Sequence, residues 1–222
     1  MRRKKTISKK RRASTLINNT TENAVIVFLR KRELGKVKTR LAATIGPKRA
    51  LAIYHYLIKH TLVVVDKLNA AKILYFYPEI EQYPNHPDYN CYLQKGQDLG
   101  NRLINAIDDC HLLYQKIVVI GTDCPYLEKT DLEHAFQMLD KNDIVIGPSE
   151  DGGYYLIGLK KPHPHLFLDI DWSTDRVFDQ TLKAAKTKNL VVGLLRTLSD
   201  VDYEKDWVRY CESTGTQFNE GL

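Results

Sequence analysis

Lys116-Ile117-Val118-Val119-Ile120-Gly121-Thr122-Asp123-Cys124-Pro125 opens on an unbroken apolar run and ends on a glycine turn that carries an acid. Such a run, without polar alternation, predicts a strand over Lys116–Ile120 buried on both faces, as in a parallel sheet covered by helices. An acid directly after a buried strand is poorly placed for stability, because desolvating an unpaired carboxylate is costly. It is well placed to hold a hard divalent cation that also touches phosphate, since Mg²⁺ in such sites takes one or two carboxylates and keeps waters. The plainer account is that Asp123 caps its own turn. Cys124 reads as a packing residue, because no histidine lies near it in sequence.

The same pattern recurs elsewhere in the chain. Ala24–Leu29 is a second apolar run and Ile73–Tyr77 a third. Gly46–Pro47 opens a helix, with proline at a tolerated first-turn position and an inward stripe of Leu51, Tyr54, Leu57 or Ile58, Thr61 or Leu62, Val65 and Leu68. Tyr83–Pro87 reads as loop, and Asp98–Tyr114 as a helix with Leu99, Leu103, Ala106, Ile107 and Cys110 on one face. Thr130-Asp131-Leu132-Glu133 reads as a capping box that starts the next helix. Strands are expected at Asp143–Ile146 and Tyr154–Leu159. The connection between them is shorter than the roughly ten residues a parallel crossover needs, so one runs against the rest. Ser173 or Thr174 starts a helix to about Lys186, Leu190–Leu195 is a last strand, and Asp202 is placed to cap a terminal helix containing Trp207 and Val208. This alternation predicts an α/β domain with a mostly parallel, mixed sheet flanked by helices.

The 222 residues, 43% hydrophobic and 27% charged, suit one globular domain that needs no disulfide or structural metal. No apolar stretch approaches a membrane span. The four cysteines form no C-x-x-C pair, which argues against a zinc ribbon, a redox motif or a disulfide scaffold and makes the cytoplasm the simplest compartment. Eight of the 33 basic residues crowd into positions 2–12, and the remaining 25 are outnumbered by 27 acids. The net charge of +6 therefore belongs to the terminus. Positions 1–22 are expected to form a solvated basic arm, 23–215 a single folded domain and 216–222 a short tail. An acidic body argues against a nucleic-acid-binding domain, and the oligomeric state is not legible.

Open α/β sheets bind ligands beyond the carboxyl ends of their strands. After the first strand comes Arg30-Lys31-Arg32-Glu33-Leu34-Gly35-Lys36-Val37-Lys38-Thr39-Arg40, with six basic residues in eleven. Gly35 lets the backbone come close, and Lys36, Lys38 and Arg40 supply donors for phosphate. The spacing is neither a P-loop nor a dinucleotide fingerprint. Ser149-Glu150-Asp151-Gly152-Gly153-Tyr154-Tyr155 lies between the two close strands, and its glycines would let a ligand approach the backbone. Asp98-Leu99-Gly100-Asn101-Arg102 opens a helix, a natural anion or ribose site. Asp169, Asp171 and Trp172, and the run Asp200-Val201-Asp202, precede two others. His163 and His165 read as solvated loop residues.

The stretches GKVKTRLA (35–42), GQDLGNRL (96–103), VVIGTDCPYL (118–127), IGPSEDGGYYLIGL (146–159), DWST (171–174) and DVDYEKDW (200–207) resemble, in order, the DUF2064 family of GT-A-type transferases. The resemblance implies a single GT-A, Rossmann-like domain that takes a nucleotide-diphosphate sugar donor and a small-molecule acceptor, with Mg²⁺ or Mn²⁺. It implies glycosyl transfer; the related nucleotidyl transfer, joining a nucleoside triphosphate to a phosphorylated small molecule, is the alternative. Asp123 would be the metal-binding acid. Cys124-Pro125 stands where a D-x-D motif has its second acid, so the second ligand comes from elsewhere, Asp202 or Asp171, with Asp202 preferred. Arg32 and Leu34 stand where the family tends to have prolines. Gly35, Lys36, Lys38, Thr39 and Arg40 would hold the donor phosphates, and Asp98 or Arg102 the nucleoside. Asp151 would serve as general base or sugar-positioning group, Asp171 beside it in catalysis, on a substrate loop of Gly152, Gly153 and Tyr154.

Overall fold

A computed structural model describes residues 22–81 and 88–217. The basic arm apart from Glu22, the Tyr83–Pro87 loop and the end of the C-terminal tail lie outside the described residues. Seven strands form one sheet in the order β3-β2-β1-β4-β6-β5-β7. They are β1 (Asn23–Arg30), β2 (Ala71–Tyr77), β3 (Asn90–Leu93), β4 (Lys116–Ile120), β5 (Ile144–Pro148), β6 (Tyr154–Leu159) and β7 (Val192–Leu194). β1 pairs in parallel with β2 and β4, β2 with β3, and β5 with β7. β6 alone runs antiparallel, to both β4 and β5, as the short 149–153 connection requires. Glu22 is tied to the body, its carbonyl accepting from Gln115 and Lys116.

The helices are α1 (Thr39–Ile45), α2 (Pro47–Asp66), α3 (Leu99–His111), α4 (Lys129–Met138), α5 (Val177–Thr187) and α6 (Glu204–Thr214). β1 is buried on both sides. Val25, Val27 and Leu29 meet α2 and α4, including Tyr54, Ile58, Leu62, Leu132 and Phe136. Ala24 and Ile26 meet α3 and α5 through Leu103, Ile107 and Ala185. The period-two alternation of strand side chains thus splits one apolar run between two helical layers. A third cluster, Leu41, Ile53, Leu57, Trp207 and Tyr210, ties α6 across α1 and α2. Burial of these side chains contributes roughly 1.5–3 kcal/mol each before the entropy cost of ordering them.

Several local expectations are corrected. Thr130 does not begin α4: the N-cap is Glu128, whose carboxylate accepts from the Asp131 amide while Asp131 answers to the Glu128 amide. Ser173 has φ 66°, a left-handed conformation that cannot seed a helix, so α5 starts only at Val177. β7 is shorter than Leu190–Leu195. α6 is capped by Tyr203 with Asp206, and Asp206, not Asp202, accepts from the Asp202 and Tyr203 amides. α1 takes up the last two residues of the basic stretch, Thr39 and Arg40, and β3 is too short and exposed to leave an apolar run. His163 precedes and His165 lies within a 3-10 turn, Pro164–Leu166, the two rings half-buried and edge to face rather than solvated.

Candidate functional site

A cleft of about 1160 Å³ runs along the carboxyl ends of the strands. At its centre stands Lys38, in the segment joining β1 to α1. Its ammonium lies 2.7 Å from Val201 O, 2.8 Å from Asp123 Oδ1 and 3.3 Å from Asp202 Oδ1, so three acceptors meet its three donors. The side chain is only 5% exposed. Burial opposes its charge, but Asp123 and Asp202 overcome that, and the amine is held above the ordinary lysine value. The backbone at Lys38 is left-handed, φ 46°, a conformation that ordinary side chains adopt only when the surroundings enforce it.

Asp123 follows β4 and keeps a side chain 45% exposed to the cleft. Asp202 is engaged on both oxygens, by Lys38 and by Arg40 Nη1 at 2.9 Å. Asp200 also lines the cleft, and its carboxylate accepts no hydrogen bond among the described residues. Burial, then the neighbouring Asp123 charge, pushes it up to about 8. Sequence reasoning favours Asp202 of this run; only the fold reveals that Asp200 is the carboxylate without a hydrogen-bond partner among the described residues. These oxygen donors match a hard divalent cation, which takes one or two carboxylates and completes its shell with phosphate and water. Among the described residues no cluster of three or more metal-ligating side chains occurs.

Of the other expected residues, Thr39, Arg40, Arg102, Asp151, Gly153 and Tyr154 line the cleft. Gly35, Lys36, Asp98, Gly152 and Asp171 do not. Asp98 is the N-cap of α3, accepting from the Asn101 amide at 2.7 Å and the Asn101 side chain at 2.8 Å. Asp171 pairs with Gln180 at 2.6 Å and Arg176 at 3.1 Å, fixing the entry to α5. Gly152 has its backbone close to the protein itself: a Cβ there would lie 2.1 Å from Asp175 O. Gly153 and Ser149 both donate to Asp151 Oδ1, which shapes the 149–153 loop. The Tyr154 ring meets Trp172 edge to face, and its hydroxyl is buried without a partner among the described residues.

Three cleft residues escaped sequence reasoning. Arg209 of α6 donates to Glu150 and to Ser199 Oγ, strapping the 149–153 loop to the acidic segment. Tyr77, the last residue of β2, carries the Arg102 guanidinium 3.8 Å above its ring. Gln94 follows β3, the strand without an apolar run to announce it, so nothing marked it as a buried polar group.

This fold is shared with several solved structures, transferases among them. A protein from Desulfovibrio desulfuricans, provisionally described as a nucleotide-diphospho-sugar transferase, is 30% identical, with a TM-score of 0.81 over 89% of this chain and 90% of its own. The manganese complex of Rv0371c from Mycobacterium tuberculosis is 14% identical, with a TM-score of 0.56 over 87% of this chain and 100% of its own. A 2-C-methyl-D-erythritol 4-phosphate cytidylyltransferase from Thermus thermophilus is 11% identical, with a TM-score of 0.53 over 87% and 98%. The last two show likeness of fold alone. No curated protein matches the sequence. The relatives define an enzyme of the transferase class, built on the fold that GT-A-like and nucleotidyltransferase-like proteins share. Within it the chain belongs to DUF2064, the family described as "uncharacterized protein conserved in bacteria", whose profile matches residues 61–174. No helix among the described residues is long and apolar enough to cross a membrane.

Proposed function

We propose that this protein transfers a sugar from a nucleoside-diphosphate donor to a small acceptor with the help of Mg²⁺ or Mn²⁺, acting in the cytoplasm. The observation that carries the reading is the Lys38 ammonium held between Asp123 and Asp202 at the strand ends, in the cleft that Asp200 also lines. Asp123 and Asp200 would hold the cation, while Asp202 holds Lys38 and Arg40. The cation, when bound, neutralises charge on the leaving diphosphate. Thr39 and Arg40 face the donor phosphates as hydrogen-bond donors, while Lys38, its own donors taken by Asp123, Asp202 and Val201 O, holds the two carboxylates in place and adds its charge, a preorganised field that favours departure of the anionic leaving group. Asp151 Oδ1 is engaged by Ser149 and Gly153; its second oxygen, which accepts nothing among the described residues, faces an acceptor hydroxyl as base or positioning group. Gly35, Lys36, Asp98, Gly152 and Asp171 shape the segments that carry the site.

The test is thermal unfolding and sugar turnover with UDP- and GDP-sugars, with and without Mn²⁺ or Mg²⁺. A ligand at 100 times its dissociation constant adds about 2.7 kcal/mol, a readable shift. The expected result is a cation-dependent shift and turnover, both lost in Asp123→Ala. Turnover that survives this substitution unchanged overturns the reading. Pyrophosphate release from a nucleoside triphosphate and a phosphorylated acceptor would assign nucleotidyl transfer instead.

A further inference from the structure

The amino ends of the parallel strands, opposite the cleft, carry a feature that the transfer chemistry leaves unused. Helix α3 ends at His111, and the chain turns through Leu112 and Leu113, with the Leu113 and Tyr114 amides donating to Cys110 O at 2.9 and 3.1 Å. Such turns are ordinarily made by glycine or small polar residues. Here two leucines occupy the tip, 81% and 70% exposed, the most exposed large apolar side chains among the described residues. Cys110 and Tyr114 on either side pack into the core beneath, and the leucines do not. The same turn is the root of the basic arm: Glu22 O accepts from the Gln115 amide at 2.8 Å and from the Lys116 amide at 3.2 Å. Nine uncharged residues, 13–21, separate this root from Arg12, so the block of eight basic residues in positions 2–12 begins within about 35 Å of Glu22 even at full stretch. Closer in, Lys116 by a hydrogen bond, and Lys160 and Lys141 by their charge, hold the Asp140 carboxyl below its ordinary value. Lys160 reaches this end because β6 runs antiparallel, its Leu159 paired with Ile117.

We propose that this end of the protein docks on the surface of an anionic phospholipid bilayer, the Leu112–Leu113 turn entering the headgroup region while the basic arm gathers acidic lipids around it. Neither signal suffices alone. Two leucines bury little apolar surface, and a polybasic segment is held only within about a Debye length of the lipid charge and is weakened by salt. An apolar insertion joined to a polybasic segment gives stable peripheral association. A nucleic acid would take the charge of the arm but has no use for two leucines held out in solvent, whereas a bilayer takes both. Asp108 and Asp109 stand about one helical turn behind the tip, farther from the bilayer than the leucines. Docked in this way, the cleft at the opposite strand ends opens to water, where soluble substrates reach it.

The test is flotation of the full chain with vesicles of phosphatidylcholine alone and of phosphatidylcholine mixed with phosphatidylglycerol, at low and high salt. Binding is expected to the mixed vesicles only, and to weaken about tenfold or more as salt is raised. The double variant Leu112→Ser, Leu113→Ser is expected to bind the mixed vesicles about tenfold or more weakly, with its melting temperature unchanged because neither side chain packs into the core. Replacing the eight basic residues of positions 2–12 by glutamine is expected to abolish binding. No binding to the mixed vesicles, equal binding to both kinds, or binding indifferent to the leucine pair overturns the proposal. So does a single-stranded RNA that binds the full chain more tightly than the mixed vesicles, which would assign the arm to nucleic acid. An oligomer in solution that the leucine variant splits would assign the turn to a second copy of the chain, and overturns it too. The measurement reads no turnover, so its failure leaves the proposed transfer reaction standing.

Discussion

Lys38 Nζ lies 2.8 Å from Asp123 Oδ1, although one belongs to the segment after β1 and the other to the turn after β4. The two strands are parallel neighbours, so their carboxyl ends deliver both residues to one point. Lys38→Met removes the ammonium from among Asp123, Asp202 and Val201 O. Stability is expected to fall by about 1–3 kcal/mol, from acceptors left without a donor, and nucleoside-diphosphate affinity by about tenfold or more. Denaturant unfolding and calorimetry check the two effects separately; retention of both would refute the role given to Lys38.

Gly152→Ala is expected to be severe. The residue has φ 86°, and a Cβ there would lie 2.1 Å from Asp175 O. The 149–153 loop must then part from the segment leading into α5, whose Phe178 amide donates to Gly152 O at 2.9 Å. A loss of about 2–4 kcal/mol is expected in urea unfolding. A variant as stable as the parent would show that this contact does not hold the loop.

Asp98→Ala separates a cap from a ligand contact. Hydrogen bonds from the Asn101 amide and side chain hold the Asp98 carboxyl below the ordinary value of 3.8. A depressed carboxyl contributes stability above its unfolded value, lost as pH falls through the folded one. The melting temperature of the variant is therefore expected to lie slightly below the parent's at neutral pH, with the gap narrowing as pH falls below about 3.8. Nucleotide affinity at neutral pH is expected to stay unchanged. A large loss of affinity in a folded variant would restore Asp98 as a ligand-binding residue.

The cysteines should react in order of burial. Burial raises the Cys124 thiol far above its ordinary range, with the Asp200 charge adding to it, and raises Cys110 to about 11. Cys91 and Cys211 are half-buried. Alkylation of the native protein near pH 8, followed by mass spectrometry, is expected to label Cys211 and Cys91 well before Cys110 and Cys124, since the thiolate is the reactive form. Cys124→Ser is expected to keep its turnover. Rapid labelling of Cys124 would contradict its assignment as a packing residue.

The class of the fold is a local property and is legible in the residues. Ala24–Leu29 and Lys116–Ile120 are apolar without alternation because they are covered on both faces, and the 149–153 connection is too short for a parallel crossover. Asp123 is conspicuous because it directly follows such a strand. What escapes is whatever depends on distant partners. Asp200 and Asp202 stand two positions apart in one acidic run, and nothing local says that Lys38 and Arg40 occupy Asp202 and leave Asp200 without a hydrogen bond among the described residues. Gly152 reads as room for a ligand until Asp175 O fills that room. Gln94 is an ordinary polar residue until Leu29 O and Tyr75 O lock its amide. Strands and helices follow from periodicity along the chain, whereas the partner of each polar group follows from packing across it, and only the tertiary structure decides that.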